Sequence, residues 1–482
     1  MLIWIYYYIL LIKTKGETKM KIPAELKELA QIFDENNKQL FIVGGYIRDA
    51  YLGVQSVLRD DIDLCSSVTP KELKKMLAGT KFEIKNINES VGVMAIHGKR
   101  RYEHATFRRE FYESESHTPD HVEFIKSLEE DALRRDFKIN AIYFNIIEGT
   151  YVDPLGGIDD LKERKITTTR APKNVFNDDP ERILRLIRFS CALGLAIPEE
   201  EMYYAKQNAY KIRFITKFRL RNEFERLLTA DAIYPELAYT KDAHVKAMRL
   251  IGEIGAWAHI LPAMDAIQKT FVKDHKGEAI YEHIMNCLTK SSPQIRLAVL
   301  LHDSGKVKTM EIRNNFFGAR EFIDNIVEKN LGIEGLGYPK EVIARVAKII
   351  KGYDFNRFGL FPKKIIKRFI FENHEVVENI VEIKTIIKSE NKGYDCKSNS
   401  AESLKKVYDE MIKNGAPFNR LDLAIRGDDI IKSNPKVKME NVDVLIDKLL
   451  QKVALEPKKN NKEDLLVLAN KMINSNPDLF ID

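Results

Sequence analysis

The chain has 482 residues, 44% of them hydrophobic and 31% charged, and a formal net charge of +6. Length alone predicts three or four domains, and the composition excludes collagen-like and disordered classes in favour of a globular protein with ample core. The small positive balance permits RNA binding without demanding it, because clustering on one face is what matters. Cys65, Cys191, Cys287 and Cys396 are far apart and form no CxxC, so neither a disulfide framework nor a zinc site is expected, as fits a reducing cytoplasm.

Leu2 to Ile12 is apolar but too short to span a bilayer as a helix, and no basic segment or small-residue cleavage site accompanies it. Met20-Lys21-Ile22-Pro23 opens an amphipathic helix, so residues 1–19 read as an upstream extension; a membrane-associating tail is the alternative. From Pro23 to Asn37, Leu26, Leu29, Ala30 and Phe33 recur at helical spacing.

The stretch Phe41 to Thr69 holds the first chemistry. Phe41-Ile42-Val43 reads as a short buried strand, Gly44-Gly45 as a turn that lets backbone approach a ligand, and Tyr46 to Leu52 as a helix whose N-terminus would face an anion. The next strand carries Asp61 and Asp63. Residues two apart on a strand point the same way, so the two carboxylates converge, a plausible Mg²⁺ and nucleotide site. Thr69 and Pro70 then begin a helix to Leu77. Val91–Ile96 and Tyr102–Phe107 read as a hairpin, with Glu103 a candidate third carboxylate. Residues 108–120 show no periodicity and read as a loop.

In Leu128 to Phe144, Arg134 and Arg135 stand beside Asp136, with Asn140 four residues on. Guanidinium groups suit a triphosphate, which they bind bidentately, and Asp136 and Asn140 would orient them or hold the ribose. Pro154, Gly156 and Gly157 dictate a tight turn that closes this part of the chain. Phe176 to Phe189 is a helix on which Arg182, Arg185 and Arg188 recur every three residues, opposite Ile183, Leu184 and Ile187. Beyond residue 235 the pattern is almost wholly helical.

Together, the strand–GG–helix–DxD stretch, RRDFKINA, DPLGGIDDL and DDPERILRLIRF resemble the motifs of class II CCA-adding tRNA nucleotidyltransferases and bacterial poly(A) polymerases, in the polymerase β superfamily. The resemblance implies an α/β head with a polymerase β-like sheet, followed by an all-α neck, body and tail. Its boundaries are head 20–170, neck 171–235, HD-like body 236–380 and tail 381–482, the last binding tRNA through lysines such as Lys448, Lys452, Lys458 and Lys459. The implied nucleotide-binding set is Gly44, Gly45, Arg48, Arg134, Arg135, Asp136, Asn140, Asp179, Arg182, Arg185 and Arg188, with Asp61 and Asp63 catalytic and holding Mg²⁺.

Asp179 and Arg182 match the base-choosing positions of that family. A carboxylate accepts from the exocyclic amine of cytosine or adenine, and a guanidinium donates to cytosine N3 and O2 or adenine N1; uracil and guanine present the wrong pattern. The implied activity is template-independent addition of CCA to the tRNA 3′ end from CTP and ATP, in the cytoplasm, with no DNA or membrane partner. Poly(A) polymerase and partial CC- or A-adding enzymes are the alternatives.

Phe218 stands where the neck motif usually has Glu, while Arg219 and Glu223 remain. His283, His302, Asp303 and Asp354 resemble the metal set of an HD domain, which leaves a metal phosphohydrolase as a reading of another class. Gly318-Ala319 and Tyr353-Asp354 replace the extra histidine pairs of competent members, so the domain is expected to be a structural body.

Overall fold

The computed structural model describes residues 22–54, 62–112, 119–237, 240–270, 279–355, 360–390 and 399–480. The chain divides into two compact units, one comprising residues 1–265 with Gly335–Gly337, the other Ala266–Glu334 with Tyr338–Asp482.

The first unit is built on a seven-stranded sheet. Its strands are β1 (Phe41–Val43), β2 (Asp63–Ser66), β3 (Glu83–Asn88), β4 (Val93–His97), β5 (Arg101–Thr106), β8 (Tyr143–Asn145) and β9 (Thr150–Val152), in the order β3-β4-β5-β2-β1-β8-β9. Only the β2–β5 pair is parallel. The apolar spacing after Pro23 produces helix α1 (Ala24–Glu35), whose Leu26, Leu29, Ala30 and Phe33 are fully buried.

Helix α2 (Gly45–Tyr51) follows β1 directly. Helix α3 (Pro70–Leu77) starts as its sequence dictates: Thr69 Oγ1 accepts from the Glu72 amide and Glu72 reaches back to the Thr69 amide, a capping box with Pro70 at the first helical position.

The segment expected to be an aperiodic loop is in part a ribbon. Strand β6 (Arg108–Phe111) pairs antiparallel with β7 (His121–Phe124); residues 113–118 lie outside the described residues. The ribbon was hidden because the covered positions of β6 are the charged Arg108 and Glu110, so its burial alternation leaves no apolar period-two signal.

Helices α4 (Leu128–Leu133) and α5 (Gly157–Glu163) flank β8 and β9, followed by α6 (Pro172–Asp178), α7 (Glu181–Leu193), α8 (Glu199–Asn208) and α9 (Lys217–Leu228). Gly157 packs so closely that a Cβ there would lie 2.1 Å from the Lys138 carbonyl oxygen. This glycine lets the Lys138–Asn140 turn sit directly on α5.

The second unit is helical throughout its described residues. One core, around Leu445, Leu449, Val453, Leu465, Ala469 and Ile473, joins the helices Val442–Leu455 and Lys462–Ser475. No helix among the described residues is long and apolar enough to cross a membrane.

Candidate active site

Strand register brings the carboxylates together. Directly paired residues share a face, and Tyr143, Val43, Asp63 and Glu103 form one row across β8, β1, β2 and β5. Asp63 and Glu103 are therefore side by side on neighbouring strands, which run roughly 4.8 Å apart. Glu103 is half-exposed, with the Arg101 guanidinium 3.5 Å away. Asp63 opens β2 and is exposed; Asp61 lies outside the described residues. Gly44 holds φ +82° and ψ −144°, a conformation that only glycine adopts freely, and a Cβ there would approach Asp63 Oδ2 to 3.6 Å. The glycine turn and the carboxylate thus face each other.

Around them is a cleft of about 560 Å³, lined by Gly44, Gly45 and Asp63, by Arg134 to Asp136 and Asn140, and by Asp179, Arg182, Arg185 and Arg188. Three motifs spread over 145 positions, Gly44 to Arg188, share one concavity.

Most of its arginines are already engaged. Arg48 is 3% exposed and donates to Asp49 (2.7 Å), Asn140 (2.6 Å) and the Tyr234 hydroxyl (2.6 Å), which itself donates to Asp49 (3.0 Å). Asn140 donates to Asp136, which also accepts two bonds from Arg185, at 2.8 and 2.6 Å. Arg188 pairs with Glu223 at 2.5 Å. The expected basic stripe on α7 is therefore a set of paired groups, with Arg185 and Arg188 each facing a carboxylate.

Arg134 and Arg135 are not free phosphate grips either. Both are bound to Asp131, which is completely buried and also accepts from the Tyr143 hydroxyl at 2.8 Å. Arg134 additionally reaches Glu110 on β6, as does Arg108. Their positions on the cleft wall are fixed by acids that the motif does not contain.

Arg182 differs. Its Nη2 donates to the Arg134 carbonyl oxygen (3.0 Å), while its buried Nη1 makes no hydrogen bond among the described residues. Asp179, three residues before, accepts from the Glu181 amide (3.0 Å) and from Arg219 (2.7 Å), and Arg219 also pairs with Glu181. Phe218, in the place of the usual Glu, is exposed. Arg219, Glu181, Glu223, Asp131 and Tyr234 pair with the candidate residues and were not among them; Arg219 and Glu223 had a signal in the neck pattern, the others none.

Burial alone would raise the Asp131 carboxyl, but the Arg135 and Arg134 charges outweigh it and hold it at about 2. Asp136 is likewise held at about 2, burial being outweighed by Arg185 and the Asn140 hydrogen bond. Both folded values lie below the unfolded value, so each carboxylate stabilises the fold above about pH 4 and ceases to do so as pH falls toward 2. Each contributes about 2 kcal/mol in this sense. Urea unfolding midpoints at pH 6, 4 and 3 are expected to fall steeply over the last interval, and Asp136→Asn should flatten that fall.

In the second unit, His283 and His302 lie together, 3.4 Å between their Nε2 atoms, next to Asp303. Asp354 does not join them: it is exposed, outside the cluster, and Cys287 takes the neighbouring place. Asp354 stands at the C-cap of the helix Lys340–Tyr353. Lys448 and Lys452 line a groove of about 570 Å³ together with Lys363, Lys364, Lys367 and Arg368. Lys459 is paired with Glu456.

Residues 40–167 match the family model of the poly A polymerase head domain. A CCA-adding enzyme of Lactococcus lactis subsp. lactis is 33% identical over 214 residues, covering 43% of this chain and 52% of that protein. One of Limosilactobacillus fermentum is 34% identical over 224 residues, 46% of this chain and 54% of that protein. The chain thus spans about half the length of the curated relatives it matches.

Among solved structures, the Bacillus stearothermophilus CCA-adding enzyme in complex with CTP superposes with a TM-score of 0.63 at 21% identity, covering 95% of this chain and all of that one. A CCA-adding enzyme complex with ATP gives 0.58 at 20% identity, covering 94% and 96%. The fold, a mixed sheet with helices followed by a helical remainder, is that of these enzymes.

Proposed function

We propose that this chain is a nucleotidyltransferase that builds or repairs the 3′-terminal CCA of tRNA from CTP and ATP without a nucleic-acid template. The observation that carries the reading is the single cleft in which Asp63, the Gly44 turn and the Asp179/Arg182 pair meet. Relatives with CCA-adding activity match the chain at about one third identity, which supports the same substrates here.

Asp61 and Asp63 would hold Mg²⁺; the Asp63 carboxylate facing the glycine turn offers the hard oxygen ligands this ion takes. When bound, it supplies Lewis-acid stabilisation of the triphosphate and a lowered pKa for the attacking hydroxyl. The chain's own residues do the rest. The Gly44 turn brings backbone close to the phosphates. Arg134 and Arg135, held rigid by Asp131, present their remaining N–H groups to the triphosphate without needing to be ordered first.

Base choice falls to α7 and α9. Arg182 Nη1 is a buried donor awaiting an acceptor, which cytosine N3 and adenine N1 supply and the N3–H of uracil, itself a donor, does not. Arg219 orients Asp179 to accept from the exocyclic amine. The groove of Lys363, Lys367, Lys448 and Lys452 suits RNA phosphates.

The test is incubation with tRNA lacking its end and each labelled nucleotide, singly and paired. Two C followed by one A supports the proposal, and an indefinite run of A would indicate poly(A) synthesis instead. In the same assay Arg182→Ala should lower kcat/KM for CTP and ATP about 10- to 100-fold, the worth of one specific pairing, and narrow their advantage over UTP. Unchanged discrimination would remove Arg182 from base selection.

A further inference from the structure

The cluster in the helical unit has a geometry that its sequence spacing did not suggest. His283 and Cys287 lie one turn apart on the helix Ile280–Thr289, and His302 ends the helix Arg296–Leu301. All three are buried, and one ligand atom from each lies within 4.8 Å of the others. His283 Nε2 is 3.4 Å from His302 Nε2 and 3.6 Å from Cys287 Sγ. A tetrahedral zinc ion, with bonds of about 2.05 Å to nitrogen and about 2.3 Å to sulfur, separates two nitrogens by about 3.4 Å and a nitrogen from a sulfur by about 3.6 Å.

The proton inventory points the same way. His302 Nδ1 sits 2.7 Å from the Val299 carbonyl oxygen, which only accepts, so Nδ1 carries the proton and Nε2 offers a lone pair. A backbone carbonyl fixing the tautomer of a ligating histidine is the usual outer-shell device. Asp303 Oδ2 is buried and makes no hydrogen bond among the described residues, though it lies 4.0 Å from His283 Nε2. The other oxygen, Oδ1, is taken by Lys306 at 2.7 Å. Donor atoms of three buried side chains therefore converge, and beside them Asp303 carries a carboxylate oxygen without a hydrogen-bond partner among the described residues.

We propose that His283, Cys287 and His302, with Asp303 Oδ2 as the fourth donor, form a mononuclear site for a thiophilic divalent cation, zinc foremost. It differs from an HD centre in using a thiolate and in leaving Asp354 aside. A closed set of this kind joins two helices and serves the fold rather than hydrolysis. The proposal is independent of nucleotide transfer.

The test uses the full-length protein and Co²⁺ as a spectroscopic probe. One equivalent per chain should give an intense thiolate-to-cobalt band in the near ultraviolet and tetrahedral d–d bands in the red, both erased by one equivalent of Zn²⁺. Cys287→Ser should lose the near-ultraviolet band and weaken zinc binding by more than the ~10–100-fold that losing an outer-shell partner costs. Asp354→Ala and Cys396→Ser should retain both. Absence of the band in the unaltered chain overturns the proposal, as does its survival in Cys287→Ser or its loss in Cys396→Ser. Should Cys287→Ser fail to fold, the unaltered chain and the other two variants still decide.

Discussion

Asp63→Ala is expected to lower the single-turnover rate of nucleotide addition about 1000-fold or more while leaving tRNA binding in place. The carboxylate opens β2 at the exposed end of the strand, beside the Gly44 turn, so the fold does not depend on it. Its proposed task is to hold the ion that stabilises charge on the transferring phosphoryl group. That stabilisation is worth several kcal/mol, and each 1.36 kcal/mol is a factor of ten in rate. Asp63→Asn should fail nearly as badly, because the amide keeps the shape and loses the charge. Rapid-quench measurement of primer extension, alongside filter binding of the same tRNA, separates the two effects. Transfer persisting in either variant would refute the metal assignment.

Asp131→Ala should be the most damaging single change to stability in the head. The side chain is wholly buried and holds Arg134, Arg135 and the Tyr143 hydroxyl at once. Removing one partner of such a group strands largely buried guanidinium charge, at a cost approaching the ~3–5 kcal/mol of a fully buried pair. In a unit of this size that lowers the unfolding midpoint by on the order of 10 °C. An exposed pair such as Lys74–Glu89 is screened by solvent and adds little to stability, so Glu89→Ala is the natural control. Equal midpoints for the two variants, read by calorimetry or urea denaturation, would show that Asp131 is not the anchor described.

Much of the head was legible because its signals are local. The spacing of Leu26, Leu29, Ala30 and Phe33 places a helix, and Thr69-Pro70 with Glu72 places a helix start. Asp63 beside a glycine turn is likewise read within one short stretch. Pairing across the chain is not local, and there reading from the sequence falls short. Arg134 and Arg135 stand in the motif as phosphate ligands, but nothing in the motif shows that Asp131 and Glu110 fix where they point. Arg185 and Arg188 look like a solvated stripe until Asp136 and Glu223 are found opposite. Cys287 was set aside for want of a CxxC, yet its partner is one helical turn away and another lies on the next helix. Charge complementarity between distant segments leaves no periodicity to detect.

The bond from Arg48 to Tyr234 spans 186 positions, and it bears on what can be inherited as a piece. Chain cut near residue 170 would keep the sheet, the glycine turn and Asp63, but would strand a buried guanidinium short of one acceptor and leave Asp136 without Arg185. The transferable module is therefore longer than the catalytic motif. Shuffling the transfer chemistry onto another scaffold would have to carry along the helices proposed to choose the base, so that chemistry and nucleotide preference would travel together.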